Sequence, residues 1–369
     1  MATSRYKTAS PYTMSLPTAS STQPPSSPVQ VALVGLGRIG AMYLAHIQSC
    51  PDMTLVVVVV SPRQDPLEMR SKFSVPRDVH VTNNLEAALG NLNVDAVIIA
   101  TTTATHVGVI TASLAAGKAV FCEKPISDDL QKTISCYEAA SKAKLPLFCA
   151  FNRRFDPTYV AIHKKARAGA VGHIQTIKSV SRDSPVVPKE FIPRSGGIFN
   201  DFAVHDLDLL LWVIGDVPKQ VFVSGSANIP EFAELDDYDC AIILLTFRSG
   251  TLGTIDLNRF CNYGYDQRLE VFGAKGMLHC EHSRPNNVTF SDQAGSNQAP
   301  CFYSFPSHYE AAFKEQLQHF VRVFRGEERL GVTKKMVCAV SKVVQACQES
   351  AVTGAPVQLV WEDSEVPLY

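Results

Sequence analysis

The decapeptide VALVGLGRIG, residues 31–40, decides the first half of the fold. Its apolar run reads as a strand that stops at Gly35. Ile39, Met42, Tyr43 and Ile47 then recur at helical spacing. Gly35, Gly37 and Gly40 thus fall on a strand-to-helix turn, the one setting in which GxGxxG carries meaning. Gly35 permits the tight turn, Gly37 lets the backbone approach a pyrophosphate, and Gly40 lets helix and strand pack closely. Free N–H groups at the helix start, around Arg38 and Ile39, face the phosphates. The turn therefore predicts a dinucleotide site.

Downstream the rhythm continues. Thr54–Val60, Val94–Ala100, Ala119–Cys122 and Leu145–Ala150 read as buried strands, and Leu85–Leu89, Val107–Ala116 and Leu130–Ala143 as helices between them. This alternation predicts a parallel sheet covered on both faces. After about Phe151 the pattern changes. Long alternating segments at Val221–Ala227, Cys240–Phe247, Thr251–Asn258, Arg268–Phe272 and Met277–Cys280 predict an open, mostly antiparallel sheet, closed by helices near Tyr309–Arg325 and Lys334–Ser350. The expected architecture is an α/β Rossmann domain at 29–150 and an α+β substrate-binding and oligomerisation domain at 151–369. The Ser/Thr/Pro-rich, acid-free stretch 1–28 reads as a disordered tail, with an organellar transit peptide as the alternative.

Composition narrows the function. The net charge of −1 offers no field to recruit nucleic acid or an anionic membrane, and no apolar run approaches the roughly 20 residues that span a bilayer. The ten cysteines show no metal-ligand spacing and read as reduced thiols, so a cytoplasmic location is expected, or an organellar one if the tail is removed.

The second strand of a dinucleotide domain usually ends in an acid that binds the ribose 2′-hydroxyl. Here Ser61, Pro62 and Arg63 follow it, with Asp65 close behind. Ser61 and Arg63 suit a 2′-phosphate, which leans toward NADP or dual use over strict NAD. Asp65 keeps NAD open.

In GKAVFCEKPIS, residues 117–127, a strand delivers Lys124 between Glu123 and Pro125. That carboxyl edge is where ligands bind in open α/β sheets. The ammonium can polarise a hydroxyl oxygen; a solvated strand-end lysine is the competing reading. Asp201 and His205, four apart at a predicted helix start, share a face, so a carboxylate can orient a proton-accepting imidazole. A helix cap and a core histidine would look the same.

Together these residues resemble the glucose–fructose oxidoreductase/inositol dehydrogenase (Gfo/Idh/MocA) family. The resemblance runs from Val29 to Pro356 through the glycine loop, ATTTATH (100–106), AGKAVFCEKP (116–125), FNRRFDP (151–157), SRD (181–183), GGIFNDFAVHD (196–206) and YGYDQRLEVFGAKG (263–276). Within it, inositol 2-dehydrogenases look most similar. The resemblance implies a catalytic Lys124 whose bond to Pro125 is cis, His205 as acid/base with Asp201, and Glu123 near the nicotinamide ribose. It also implies Thr101 and His106 beside the cofactor, and Arg153, Asp183 and Tyr265 lining a polyol site. An oligomer, dimer or tetramer, assembled through the antiparallel sheet is implied as well. The expected activity is hydride transfer between a secondary alcohol of a cyclic polyol or sugar and NAD or NADP, without a metal. The alternatives are a dihydrodiol, aldose or glucose–fructose type oxidoreductase of the same fold, or a non-enzymatic dinucleotide sensor.

Overall fold

The computed structural model describes residues 27–366. Apart from Ser27 and Pro28, the tail expected at 1–28 lies outside the described residues.

The first sheet is built as the alternation predicts. Strands β1 (Val29–Val34), β2 (Met53–Val59), β3 (His80–Thr82), β4 (Ala96–Ile99), β5 (Ala119–Glu123) and β6 (Leu147–Ala150) pair in the order β3-β2-β1-β4-β5-β6. Every pairing is parallel. Helices α1 (Arg38–Gln48), α2 (Pro66–Lys72), α3 (Leu85–Leu89), α4 (Thr103–Ala115) and α5 (Leu130–Ala143) make the crossovers. Strands β4 and β6 are buried at every residue, which is why they read as unbroken apolar runs rather than alternating ones. The order reverses between β1 and β4, and the crevice outside that point is where such sheets bind ligands.

A 3₁₀ turn at Asn152–Phe155 and helix α6 (Pro157–Arg167) lead into the second sheet. Strands β7 (Ile174–Arg182), β8 (Pro218–Ser226), β9 (Cys240–Phe247), β10 (Leu252–Asn258), β11 (Asp266–Gly273), β12 (Gly276–Cys280) and, at the far end of the chain, β15 (Val357–Gln358) pair in the order β12-β11-β7-β10-β9-β8-β15. All neighbours are antiparallel except β7 and β10. Short helices α7 (Ile192–Ser195), α9 (Pro230–Ala233) and α10 (Phe305–His308) shape the loops, and β13 (Thr289–Asp292) and β14 (Gly295–Gln298) form a separate hairpin.

Helix α8 (Val204–Ile214) is buried on nearly all sides. A π turn, Phe199–Ala203, leads into it. Two buried ion pairs tie this helix to the end of the first sheet. Arg154 grips Asp208 through Nε and Nη2 at 2.8 and 2.6 Å, and Arg153 Nη1 donates to Asp206 at 2.8 Å. Helices α11 (Glu310–Phe324) and α12 (Lys334–Thr353) precede β15. The division expected at residue 150 groups α11 with the second sheet, yet its aromatic side pairs with the first. Phe313 meets Tyr43 edge-on, and Phe320 meets Phe121. The outer face of the second sheet carries exposed Ile242, Leu244, Leu252 and Phe272.

Candidate active site

Two edges meet to form a cleft. One is the carboxyl edge of the first sheet: Thr101 follows β4, Lys124 follows β5, and Asn152 and Arg153 follow β6. The other is a corner of the second sheet. Arg182 on β7 is in register with Asn258 on β10 and Asp266 on β11, so the adjoining residues Asp183, Arg259 and Tyr265 come together across three strands. The Asp183 N–H donates to the Asn258 carbonyl at 2.8 Å and fixes that corner. Lys124, Asp201, His205, Arg153, Asp183 and Tyr265 all line this one cleft, together with Arg38, Ile39, Thr101 and Glu123 from the dinucleotide side.

Gly35 takes φ +97°, a left-handed conformation costly for any side chain. A Cβ on Gly40 would lie 2.0 Å from the Gly35 carbonyl oxygen, whereas one on Gly37 would meet no atom within 4 Å. Gly40 is thus required by packing, and Gly37 keeps open the space in front of the α1 N-terminus. That end has no side-chain cap, so its N–H groups are free for phosphate. These residues fit a dinucleotide.

At the far end of that site, Ser61 and Arg63 are exposed after β2, with the Arg63 N–H 3.4 Å from the Ser61 hydroxyl oxygen. The Asp65 carboxylate accepts the Leu67 N–H at 2.9 Å as the cap of α2. Capping engages the acid that sequence reading left available to a ribose.

The Lys124–Pro125 peptide is cis. The ammonium donates to the Asp201 carbonyl at 2.6 Å and to its Oδ1 at 3.2 Å. Arg259, fully buried, holds the other oxygen, Oδ2, at 2.9 Å. Burial alone would raise the Asp201 carboxyl. The two cations outweigh it and hold the group below the usual aspartate range. Sequence reading gave Asp201 the task of orienting His205. Its hydrogen bonds go instead to Lys124 and Arg259, and His205 Nδ1 is buried with no hydrogen-bond partner among the described residues. The π turn that carries Asp201 is wider than an α turn, so spacing of four was a poor guide to direction.

Burial, then the charges of Lys124 and Arg153, push His205 well below the usual imidazole range. The ring is therefore neutral near pH 7 and able to take a proton. Asp183 is pushed up to about 6, first by burial, with the Ser184 N–H working against the shift. Arg153 is held by Asp206 and Ser181, and its Nη2 is buried without a partner. Tyr265 packs edge-on against His308 and Tyr309.

Glu123 accepts the Tyr43 hydroxyl at 2.5 Å, and Tyr43 in turn accepts from Gln316 at 2.8 Å. Burial raises the Glu123 carboxyl despite Tyr43 and the neighbouring Lys124. His106 does not line the cleft. It lies behind it, fully buried, with ring nitrogens 2.8 Å from the Pro125 carbonyl and 3.2 Å from the Thr101 carbonyl. Its place beside the cofactor loop is thus structural: it braces Thr101 against the turn after Lys124.

Sequence reading missed Arg259, although the signal was present. Gly253, Ile255 and Leu257 are the buried positions of β10, and continuing the alternation puts Arg259 on the same inward side. Tyr309, Phe305 and Phe313 also line the cleft and gave no such signal, because they reach it from the α10–α11 segment, remote in sequence.

Residues 29–151 match the model of the oxidoreductase family, NAD-binding Rossmann fold, and residues 159–279 match that of the GFO/IDH/MocA C-terminal domain. The chain belongs to the Gfo/Idh/MocA oxidoreductase family. Like its relatives in that family, it is an oxidoreductase with an NAD-binding Rossmann domain. It is 34% identical over 302 residues to the myo-inositol 2-dehydrogenase of Thermotoga maritima, covering 81% of this chain and 89% of that protein. Among solved structures, the myo-inositol dehydrogenase of Corynebacterium glutamicum superposes with a TM-score of 0.83 at 34% identity, over 91% of this chain and 100% of that one. The scyllo-inositol dehydrogenase of Lactobacillus casei, solved with bound NAD(H) and scyllo-inositol, gives 0.83 at 25% identity, over 90% and 99%.

Among the described residues, no cluster of His, Cys, Asp or Glu could hold a metal ion, and no helix is long and apolar enough to cross a membrane. All ten cysteines are free thiols.

Proposed function

We propose that this chain oxidises a secondary alcohol of a cyclic polyol of the inositol type to the ketone, reversibly. One observation carries the reading: Lys124 and His205, from opposite domains, line a single cleft that continues into the dinucleotide cradle. The bound nicotinamide supplies the hydride acceptor at C4. His205, neutral because of its burial and cationic neighbours, accepts the hydroxyl proton. Lys124 donates a hydrogen bond to the same oxygen and stabilises its developing negative charge. Asp201 holds that ammonium in place. Arg153, Asp183 and Tyr265 contact the remaining hydroxyls; a carboxylate and a guanidinium lining one cleft match a ring of alternating donors and acceptors.

The exposed Ser61 and Arg63, with Asp65 committed to a cap, favour acceptance of NADP alongside NAD. The apolar outer face of the second sheet favours assembly of identical copies through that face. Free thiols are the state that a reducing compartment such as the cytoplasm maintains. A dinucleotide sensor would have no use for a lysine, an aspartate and a histidine together in the cleft. The deciding experiment is initial rates with NAD and NADP on myo-inositol, scyllo-inositol, glucose, xylose and a dihydrodiol. Faster reduction with the inositols supports the reading. Turnover confined to the sugars or the diol reassigns the substrate, and no turnover with any of them leaves the sensor.

A further inference from the structure

Arg259 is among the largest fully buried side chains of the molecule. Buried arginines are expensive unless their charge has a use. Here Nη1 is 2.9 Å from Asp201 Oδ2, and Nη2 is 3.7 Å from Asp237 Oδ2. The guanidinium carbon lies 5.6 Å from the centre of the Phe232 ring. The backbone is pinned too, with the Arg259 N–H donating to the Asp239 carbonyl at 2.8 Å. Asp237 Oδ1 in turn accepts the Ile198 N–H at 3.0 Å, just ahead of the π turn that carries Asp201. The arginine therefore reaches Asp201 directly and the turn beneath it indirectly.

We infer that Arg259 is the positioning residue of the reaction, fixing the Asp201 carboxylate so that its other oxygen and its carbonyl aim the Lys124 ammonium at the substrate. This rests on the dehydrogenase reading above. A carboxylate shared by two cations cannot turn away from either. Without Arg259, Asp201 is free to rotate toward Lys124 and draw the ammonium out of line. The charged groups facing that carboxylate are Lys124 after β5, Arg259 after the end of β10 and Asp183 after the end of β7; Asp237 lies behind the guanidinium.

The test uses Arg259→Gln and Arg259→Met, which remove the charge, and Arg259→Lys, which keeps it. Both neutral variants should lose about 100-fold in kcat, the cost of misplacing a reacting group by about 1 Å, with the Kd for NADH unchanged. Arg259→Lys should recover activity to within about tenfold of wild type, because the cation at Asp201 is kept. Wild-type kcat in a folded neutral variant would overturn the inference. So would a folded lysine variant that still loses about 100-fold in kcat, an outcome that decides the matter even if the neutral variants do not fold. A second arm needs no turnover. The Tm gap between wild type and a neutral variant should hold above the ordinary aspartate range and narrow as pH falls through and below it, because Asp201, held below that range by its cations, gives up its charge only there. A gap constant across that range would show that Arg259 only fills space. If wild type oxidises no polyol, the dehydrogenase reading fails, and the thermal arm still decides whether Arg259 acts through the Asp201 charge.

Discussion

The Lys124 ammonium lies 3.2 Å from the Asp201 carboxylate, a contact between residues 77 apart in the chain that joins the carboxyl edge of the first sheet to the π turn leading into α8. Everything proposed for the chemistry depends on that junction, and it can be broken selectively.

Lys124→Ala removes the donor to the alcohol oxygen. The expected loss in kcat is about 10²–10⁴-fold. NADH fluorescence titration should give a Kd within a few-fold of wild type, because the glycine loop is untouched. Near-normal turnover in this variant would remove Lys124 from the mechanism.

The two later glycines of the loop should separate folding from binding. Gly40→Ala forces a Cβ to within 2.0 Å of a backbone oxygen and should cost about 3 kcal/mol or more in chemical denaturation. Gly37→Ala meets no protein atom within 4 Å, so stability should hold while NADH affinity falls at least about tenfold by steric conflict with the pyrophosphate. Equal destabilisation by both would show that the open space at Gly37 has no ligand function.

Cofactor preference should follow the exposed edge after β2. Arg63→Ala should lower kcat/KM for NADP by about tenfold and leave NAD nearly unchanged, since only the 2′-phosphate meets the guanidinium. Ser61→Asp should disfavour NADP further through charge repulsion. Steady-state rates with both cofactors read this directly, and a loss shared equally between them would place Arg63 elsewhere.

Asp183 and His205 predict different acid limbs. Asp183, raised to about 6 by burial, loses its charge as pH falls through 6, and with it an acceptor for a substrate hydroxyl. His205, lowered well below 6.5, stays neutral over the same interval. The profile of kcat/KM should therefore fall below about pH 6, and Asp183→Asn should remove that inflection while lowering the plateau. A limb that survives in the asparagine variant would belong to His205 instead.

The Arg154–Asp208 pair is buried at both ends and bidentate. Asp208→Ala removes the buried carboxylate that Arg154 grips through two nitrogens, and urea denaturation should show a loss of about 3–5 kcal/mol. Replacing both partners by apolar residues of similar volume should recover much of it. No recovery in the double variant would mean that the pair contributes more than neutralisation.

Much of this protein was legible in its sequence because the signals were local. The glycine loop, the β-branched runs of β2 and β4 and the alternation of β9 and β10 report backbone geometry within a few residues, and each element formed close to its expected bounds. Lys124, Asp201 and His205 were nameable because chemistry-bearing residue types stand at predicted strand and helix ends, whereas Arg153, Asp183 and Tyr265 were expected only from the family resemblance. Side-chain direction was not legible. Asp201 turns from His205 to Lys124 and Arg259 because a π turn changes the pitch. His106 faces two carbonyls rather than the cleft because its helix starts beneath the Lys124 loop.

Residue order by itself determined the two sheets, the dinucleotide turn and the types of group available for catalysis, since these follow from periodicity and short-range sterics. Which cation neutralises which carboxylate was decided only when the corner formed by β7, β10 and β11 met the carboxyl edge of the first sheet. Partner choice between charges depends on distances of a few ångströms between segments far apart in the chain, and only packing sets those distances.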